Sequence, residues 1–193
     1  MKLPIFAYGS PILKQPSLNV DHNSPEVQQL IRDLWETMEN ANGCGLSACQ
    51  AGKALKIFVA DSKTTYDLLE AGDRKLFFEG PDQGIKEVFI NAEITQYSEE
   101  TWEDHESCLS IPGLSQKVKR PWKITVAYLN GSFEKQVKTF AGITARIIQH
   151  EYDHTNGILY LDHLKPLTKK LMETRLKNIL KGKIKPPYPM KFL

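Results

Sequence analysis

The strongest constraint on the fold is a hairpin signal in the second half of the chain. Two β-rich runs, residues 123–129 and 132–140, lie on either side of Asn130-Gly131. An Asn-Gly pair supplies two positive-φ positions of the kind that join antiparallel strands. We therefore predict an antiparallel pair of strands here.

Three segments have apolar residues at helical spacing, and they lie between positions 24 and 42, 140 and 156, and 166 and 182. Ser24 followed by Pro25 is typical of a helix start, with serine as the N-cap and proline at the first helical position. The three patterns end at Asn42-Gly43, Asn156-Gly157 and Gly182.

Other stretches complete the predicted secondary structure. Further strands are expected at residues 56–60, 87–94 and 116–119. Residues 61–83 are polar and contain glycine and proline, which indicates a loop or insertion. Residues 1–23 contain three prolines and little periodicity, so we expect an extended arm that wraps the surface.

Strands mixed with separate helices predict an α+β fold. The chain has 193 residues and no internal repeat, so one domain is expected. Its mixed or antiparallel strands would surround a central helix, the second of the three, with another helix at the C-terminus. We assign residues 1–193 to this domain, with a core over 1–165 and a basic C-terminal helix and Pro-rich tail over 166–193.

The composition argues against several classes of protein. The formal charge of +2 is too balanced to indicate a DNA-binding or membrane-binding protein. The three cysteines are an odd number and do not indicate a disulfide framework, which favours a reducing compartment. No stretch approaches the roughly 18 apolar residues of a membrane span. A cytoplasmic location is therefore expected.

The pentapeptide 150–154, His-Glu-Tyr-Asp-His, lies in the second helical pattern. Residues four apart lie on one helix face, so His150 and His154 can both face one cation. Glu151 points in a neighbouring direction, from which it can reach a water without binding the cation itself. The alternative interpretation is a solvated helix in which the histidine spacing arose by chance.

Two histidines leave a tetrahedral metal site incomplete, and the third ligand decides the class of enzyme. A metzincin protease would have a histidine where this chain has Tyr160. A thermolysin-like site would take a downstream glutamate, and only Glu173 remains. A zincin-like metalloprotease is thus an alternative that lacks a convincing third ligand.

Two upstream segments place cysteines among small residues. Residues 106–113 contain Cys108, which alone would be interpreted as a small buried hydrophobic residue. Residues 43–52 contain Cys44, Cys49 and three glycines, a pattern that also fits a helix end followed by a tight packing corner. A closed structural Cys₂His₂ shell is a further alternative, in which Cys108 and the two histidines are joined by Cys44 or Cys49.

Taken together, the three segments resemble the three motifs of the peptide deformylases. Residues 43–50 resemble Gly-x-Gly-Leu-Ala-Ala-x-Gln, with Ser47 in place of the first alanine. Residues 106–110 resemble Glu-Gly-Cys-Leu-Ser, with Ser107 in place of glycine, and residues 150–154 match His-Glu-x-Asp-His. If the family glycine has a positive φ, Ser107 is strained by about 1 kcal/mol; otherwise its hydroxyl adds a contact. The resemblance extends roughly from residue 5 to residue 165.

The resemblance implies that Cys108, His150 and His154 bind one divalent metal ion. In this family the ion in the cell is usually Fe(II), and Zn, Ni or Co can replace it. Glu151 would accept the proton of a water molecule and later deliver it to the departing amine.

The implied reaction hydrolyses the formamide of N-formylmethionine at the start of a newly made polypeptide and releases formate. The side-chain amide of Gln50 and the backbone N–H of Leu109 would stabilise the oxyanion of the tetrahedral intermediate. Substrate contacts are expected at Gly43, Cys44, Gly45, Ser107 and Ile147.

The charges are distributed unevenly along the chain. Residues 164–193 carry nine Lys or Arg and one acid, a net charge of +8, whereas the preceding residues have a net charge of −6. A solvated lysine face is one interpretation. The other is docking on ribosomal RNA through the basic residues of 166–185, which resembles the use that some deformylases make of a C-terminal helix. The side chains concerned are Lys169, Lys170, Arg175, Lys177 and Lys181.

Overall fold

The computed structural model describes residues 1–192, so the end of the predicted 166–193 segment, Leu193, lies outside the described residues. The helices are α1 (Pro25–Asn40), α2 (Lys63–Leu68), α3 (Ala71–Phe77), α4 (Gly142–Thr155) and α5 (Pro166–Leu180). The strands are β1 (Ile5–Phe6), β2 (Gly45–Ser47), β3 (Ile57–Asp61), β4 (Lys86–Tyr97), β5 (Thr101–Cys108), β6 (Ile111–Pro121), β7 (Lys123–Leu129), β8 (Lys135–Ala141) and β9 (Met190–Lys191). Short 3-10 segments lie at Pro11–Lys14, Ala48–Ala51 and Tyr160–His163.

The strands form three sheets. The largest is antiparallel with the order β2-β3-β4-β7-β8, which leaves β2 and β8 at its edges. A second antiparallel sheet pairs β5 with β6, and a small parallel one pairs β1 with β9. Helix α4 is buried along most of its length and packs on β2, β3 and β8. The predicted single α+β domain with a central helix is confirmed.

Helix α1 shows why the helix predictions succeed. The Ser24 hydroxyl accepts a hydrogen bond from the Val27 N–H at 3.3 Å, so serine is the predicted N-cap. Leu34 and Met38, four residues apart, are both buried against the core. After the helix the left-handed residue is Asn42, with φ of +53°, the first residue of the predicted Asn42-Gly43 stop.

The β7–β8 hairpin is confirmed, but the predicted two-residue turn is wrong. The connection contains five residues, 130–134, and its positive φ of +63° belongs to Phe133. The Asn130 side-chain oxygen accepts hydrogen bonds from the N–H groups of Ser132 and Glu134, both at 3.0 Å. The asparagine side chain thus stabilises a longer loop by taking the place of a backbone acceptor.

Strand β5 was not predicted, and β6 is longer than the predicted 116–119. β5 is polar in sequence, and toward its end it buries Glu106 and Cys108 on one face. A strand with a buried carboxylate lacks the apolar alternation by which strands are usually recognised.

Two predictions about irregular segments are wrong. The arm 1–23 does not merely wrap the surface, because Ile5 and Leu13 are completely buried in the core. The segment 61–83 is not a simple loop but contains α2 and α3, neither of which has a buried residue. Helices this short gain little from packing, so their pattern of apolar residues is weak.

Helix α5 is confirmed, and only some of its apolar residues are buried. Met172, Leu176 and Ile179 are buried, whereas Leu171 is 79% exposed and Leu180 is 37% exposed. Beyond the helix, Gly182 (φ +63°) turns the chain back, and residues 183–192, which we call the C-terminal tail, return to the body of the protein. Across residues 1–192, no helix combines the length and the apolar character that crossing a membrane requires.

Candidate active site

Three buried side chains from two distant elements converge beside α4. Cys108 ends β5, and His150 and His154 lie one turn apart on α4. Their ligand atoms all lie within 4.8 Å of one another, and Cys108 Sγ is 3.3 Å from His154 Nε2. The fold thus brings together the three residues that the sequence predicts as metal ligands.

Glu106 fixes the orientation of the His150 ring. Residues two apart on a strand share a face, so Glu106 lies on the same side of β5 as Cys108. Its Oε2 is 3.0 Å from His150 Nδ1. Because a carboxylate can only accept, Nδ1 carries the proton, and Nε2 is the ring nitrogen that remains to bind a metal.

Two arginines surround the same carboxylate. Arg120 donates to both oxygens of Glu106, at 2.8 and 2.9 Å, and Arg146 donates at 2.7 Å. Burial opposes ionisation of Glu106, but the hydrogen bonds from Arg120 and His150 outweigh it, and the pKa of the carboxyl lies far below its usual value. The group therefore stays ionised.

Sequence reasoning did not single out Glu106, Arg120 or Arg146 as functional. Two signals were available in the sequence. Glu106 is two residues before Cys108 on a strand, and Arg146 is four residues before His150 on a helix. The first spacing places Glu106 on the same strand face as Cys108. The second places Arg146 on the same helix face as His150.

His154 tests whether the group fits a metal. Burial lowers the pKa of this histidine well below its usual value, so the ring is neutral, as a ligand must be. Its Nδ1 is buried and has no hydrogen-bond partner within residues 1–192. Two imidazoles and one thiol form a donor set that suits Zn, Fe, Co or Ni. The residues fit a metal ion.

Glu151 is buried beside this group. The Ser47 hydroxyl lies 2.8 Å from Glu151 Oε2 and donates to that carboxylate. Burial raises the pKa of Glu151 to about 7, although the nearby His150 and the hydrogen bond from Ser47 oppose the shift. A Cβ at Gly45 would lie 2.5 Å from Glu151 Oε1, so only glycine leaves room for the carboxylate.

Gln50 turns its amide nitrogen toward the thiol. Its Oε1 accepts a hydrogen bond from the Ser47 N–H at 2.9 Å. Its Nε2 therefore points the other way, donating to Ser110 Oγ at 3.1 Å and lying 3.5 Å from Cys108 Sγ. Leu109 follows Cys108 in the turn between β5 and β6, so both predicted oxyanion donors border the metal-ligand group.

A cleft of about 550 Å³ opens onto these residues. All five residues predicted to contact the substrate line it, namely Gly43, Cys44, Gly45, Ser107 and Ile147. Ile147 also belongs to a hydrophobic core cluster, so this side chain borders both the cleft and the core. Ser107 is exposed, and its φ is not positive, so replacing glycine causes no strain there.

The third or fourth ligands expected for a closed Cys₂His₂ shell or a metalloprotease do not join Cys108, His150 and His154. In the part of the chain that the structure describes, the cluster of possible metal ligands contains neither Cys44 nor Cys49. The Cys49 thiol donates to the backbone carbonyl of His154 at 3.5 Å. Tyr160 stacks on His150 with ring centroids 6.1 Å apart, and Glu173 is exposed on α5.

Comparison with protein families gives a match to the polypeptide deformylase model over residues 2–170. The chain is 41% identical to the peptide deformylase of Christiangramia forsetii, covering 100% of this chain and 96% of that protein. It is 39% identical to the peptide deformylase of Cytophaga hutchinsonii, covering 100% and 98%.

Solved structures give the same result. The peptide deformylase of Ehrlichia chaffeensis superimposes with a TM-score of 0.82 and 28% identity, covering 95% of this chain and 99% of that one. The peptide deformylase of Plasmodium falciparum superimposes with a TM-score of 0.78 and 29% identity, covering 92% and 95%. The similarity thus includes both the fold and the segments that build the site.

Proposed function

The chain belongs to the polypeptide deformylase family, and from that premise we propose how its residues carry out the reaction. The protein is a metal-dependent hydrolase that removes the N-formyl group from newly made polypeptides. The observation that carries the proposal is the convergence of Cys108, His150, His154 and Glu151 at one cleft.

We assign the metal to Cys108, His150 and His154. When bound, a divalent ion of this kind makes hydroxide available near neutral pH by lowering the pKa of water. Glu106 supports the site by holding the His150 ring through Nδ1.

Fe(II) is our proposal for the ion in the cell, with Zn, Ni or Co as possible replacements. The support is the mixed nitrogen and sulfur donor set together with the family resemblance. Metal analysis of anaerobically purified protein is expected to find iron, and exposure to air is expected to inactivate it as the metal and the Cys108 thiolate oxidise. Iron-loaded enzyme that is stable in air would contradict this assignment.

Glu151 is the proposed general base and acid. It accepts a proton from the water that attacks the formyl carbon, and it gives that proton to the amine nitrogen as the C–N bond breaks. The products are formate and a free N-terminal amine. A pKa raised to about 7 suits both steps, because the carboxyl gains and loses a proton readily near neutral pH.

Gln50 and Leu109 are the proposed donors to the oxyanion of the tetrahedral intermediate. The Ser47 N–H donates to Gln50 Oε1, and this hydrogen bond directs Gln50 Nε2 toward Cys108 Sγ. The backbone N–H of Leu109 is held in the turn that follows Cys108. Losing one such donor typically lowers kcat by about 10² to 10³.

The peptide portion of the substrate is proposed to extend along β2. Among residues 1–192 this strand pairs only with β3, so its other edge is available for an extended chain. Gly43, Cys44, Gly45 and Ser107 line the cleft, and Ile147 would form part of the wall around the methionine side chain.

Release of formate tests the proposal. Anaerobically purified, metal-loaded enzyme is expected to release formate from formyl-Met-Ala-Ser and to leave the acetylated analogue intact. Absence of formate together with cleavage of an unblocked peptide would overturn the proposal in favour of a metalloprotease. Retention of the metal by a Cys44→Ser, Cys49→Ser double variant is expected, and its loss would support a closed structural site.

We also propose that the protein acts in the cytoplasm and docks on the ribosome, where formylated chains emerge. On α5 and just beyond it, Lys170, Arg175 and Lys181 are exposed and make no ion pair within residues 1–192. Reversing these three charges to glutamate is expected to abolish salt-sensitive ribosome binding. The control reverses Lys75, Lys119 and Lys135, which are exposed elsewhere, and equal binding by both variants would refute the docking.

We further propose that residues 1–193 act as one catalytic unit, with the ligand-bearing core in 1–165. Residues 166–193 would then contribute a basic helix and a tail that reaches the cleft.

A further inference from the structure

The C-terminal tail is fixed at both ends. Gly182 turns it away from α5, and Met190 and Lys191 pair with β1 as a parallel strand. Two backbone hydrogen bonds of 2.9 Å strengthen this pairing, from the Ile5 N–H to the Pro189 carbonyl and from the Ala7 N–H to the Lys191 carbonyl. The residues between the two ends are therefore held against the body.

Side chains of the tail alternate between the protein and solvent. Ile184, Pro186 and Tyr188 are half-buried, whereas Lys183 and Lys185 are exposed. This period of two is that of an extended segment lying on a surface. Residues 184–188 line the same cleft as His150 and Glu151.

Tyr188 connects the tail to the turn that carries Leu109. Its hydroxyl donates a hydrogen bond of 2.8 Å to the carbonyl of Leu109. Burial raises the pKa of Tyr188 to about 12, so the hydroxyl is a donor at any working pH.

The turn between β5 and β6 consists of only Leu109 and Ser110, and it is held from outside at both residues. The Tyr8 N–H donates to the Ser110 carbonyl at 2.8 Å, and Tyr188 holds the preceding carbonyl. The Leu109 side chain lies against Gly43, where a Cβ would be only 2.7 Å from Leu109 Cδ1. Without Tyr188, the Leu109 carbonyl loses this partner.

We propose that the C-terminal tail forms one wall of the substrate cleft and that Tyr188 is a positioning residue, which holds Leu109 in place through its carbonyl. The proposal rests on the deformylase function and on the role of the Leu109 N–H given above. A displaced N–H would stabilise the oxyanion less well while leaving ground-state binding of the peptide unchanged.

Tyr188→Phe tests the positioning role, because it removes the hydroxyl and keeps the ring. The loss of one hydrogen bond is expected to lower kcat about 3- to 10-fold, with KM and metal content unchanged. If Tyr188 had only a structural role, Tyr188→Phe would lower the melting temperature. Its kcat would then be unchanged at temperatures well below the melting temperature. Unchanged kcat, or loss of the metal, would overturn the positioning role.

Two control variants identify nonspecific effects. Tyr97→Phe removes an exposed hydroxyl that makes no hydrogen bond within residues 1–192, and Lys75→Ala changes an exposed side chain on α3. Both are expected to match the wild type in formate release from formyl-Met-Ala-Ser. If the wild type itself releases no formate, the deformylase function fails, which is distinct from failure of the Tyr188 proposal.

Hydrogen exchange in the unaltered enzyme tests whether the C-terminal tail forms a wall of the substrate cleft. This experiment does not require that Tyr188→Phe folds. In the metal-loaded wild type, saturating product peptide Met-Ala-Ser is expected to slow exchange at the amides of Ile184, Lys185 and Tyr188. The exposed amides of α3 serve as the reference and are expected to remain unchanged. Equal exchange in the tail with and without the peptide would overturn the proposal.

Discussion

Glu106 Oε2 accepts a hydrogen bond of 3.0 Å from Nδ1 of His150, and the same carboxylate accepts hydrogen bonds from two buried arginines. One buried anion thus orients a metal ligand and pairs with two guanidinium groups, and Asp153 gives Arg120 a second carboxylate partner. Burial of such charges is tolerated only while every partner is present.

The first prediction concerns this carboxylate. Glu106→Gln is expected to lower metal affinity about 10- to 100-fold, because it weakens the support of His150. It is also expected to lower the free energy of unfolding by about 3–5 kcal/mol, since Arg120 and Arg146 lose their shared anion. Metal titration and urea unfolding measure the two effects. Glu103→Gln, exposed on the same strand, is the control, and equal behaviour of both variants would contradict the assignment.

The second prediction separates catalysis from metal binding. Glu151→Gln is expected to keep its metal and to lower kcat about 10²- to 10⁴-fold, because the amide cannot accept the proton of water. Formate release and metal content are measured on the same preparation. Near wild-type kcat in this variant would remove Glu151 from its proposed role.

The third prediction concerns space beside the general base. In Gly45→Ala the new methyl group would lie 2.5 Å from Glu151 Oε1 and displace that carboxylate. We expect kcat to fall at least about 10²-fold, the scale on which a misplaced catalytic group acts, with metal content retained. Gly72→Ala is the matched control, because no atom lies within 4 Å of its added carbon. Full activity of Gly45→Ala would show that the cleft can widen at this point.

The fourth prediction is a pH dependence of the metal-free protein. The pKa of Glu151 is about 7 in the folded state against 4.5 as the ordinary value, so between these values the folded state binds more protons than the unfolded state. Stability must then fall as the pH rises from 4.5 to 7, by about 3 kcal/mol from this group. Urea unfolding at pH 5 and pH 7 measures most of the decrease, about 2 kcal/mol over this interval, and Glu151→Gln is expected to remove that part. An identical decrease in the variant would rule out the elevated pKa.

Much of the site was predictable because it depends on local spacing. The interval from His150 to His154 alone places both rings on one helix face, and Ser24-Pro25 alone marks the start of α1. Glu106 illustrates the limit of this approach. The polar sequence around Glu106 is typical of an exposed strand. Its carboxylate is buried as an anion because Arg120 and Arg146 pack around it.

The sequence by itself determined α1, α4, α5, the pairing of β7 with β8 and the spacing of His150 and His154, since each rests on neighbours a few positions apart. Only the tertiary structure decided that Cys108 meets histidines more than forty residues away, that Ile5 is core, and that Tyr188 from the end of the chain holds Leu109. Such contacts depend on the packing of the whole chain, because closing a long loop costs entropy that only the complete core offsets.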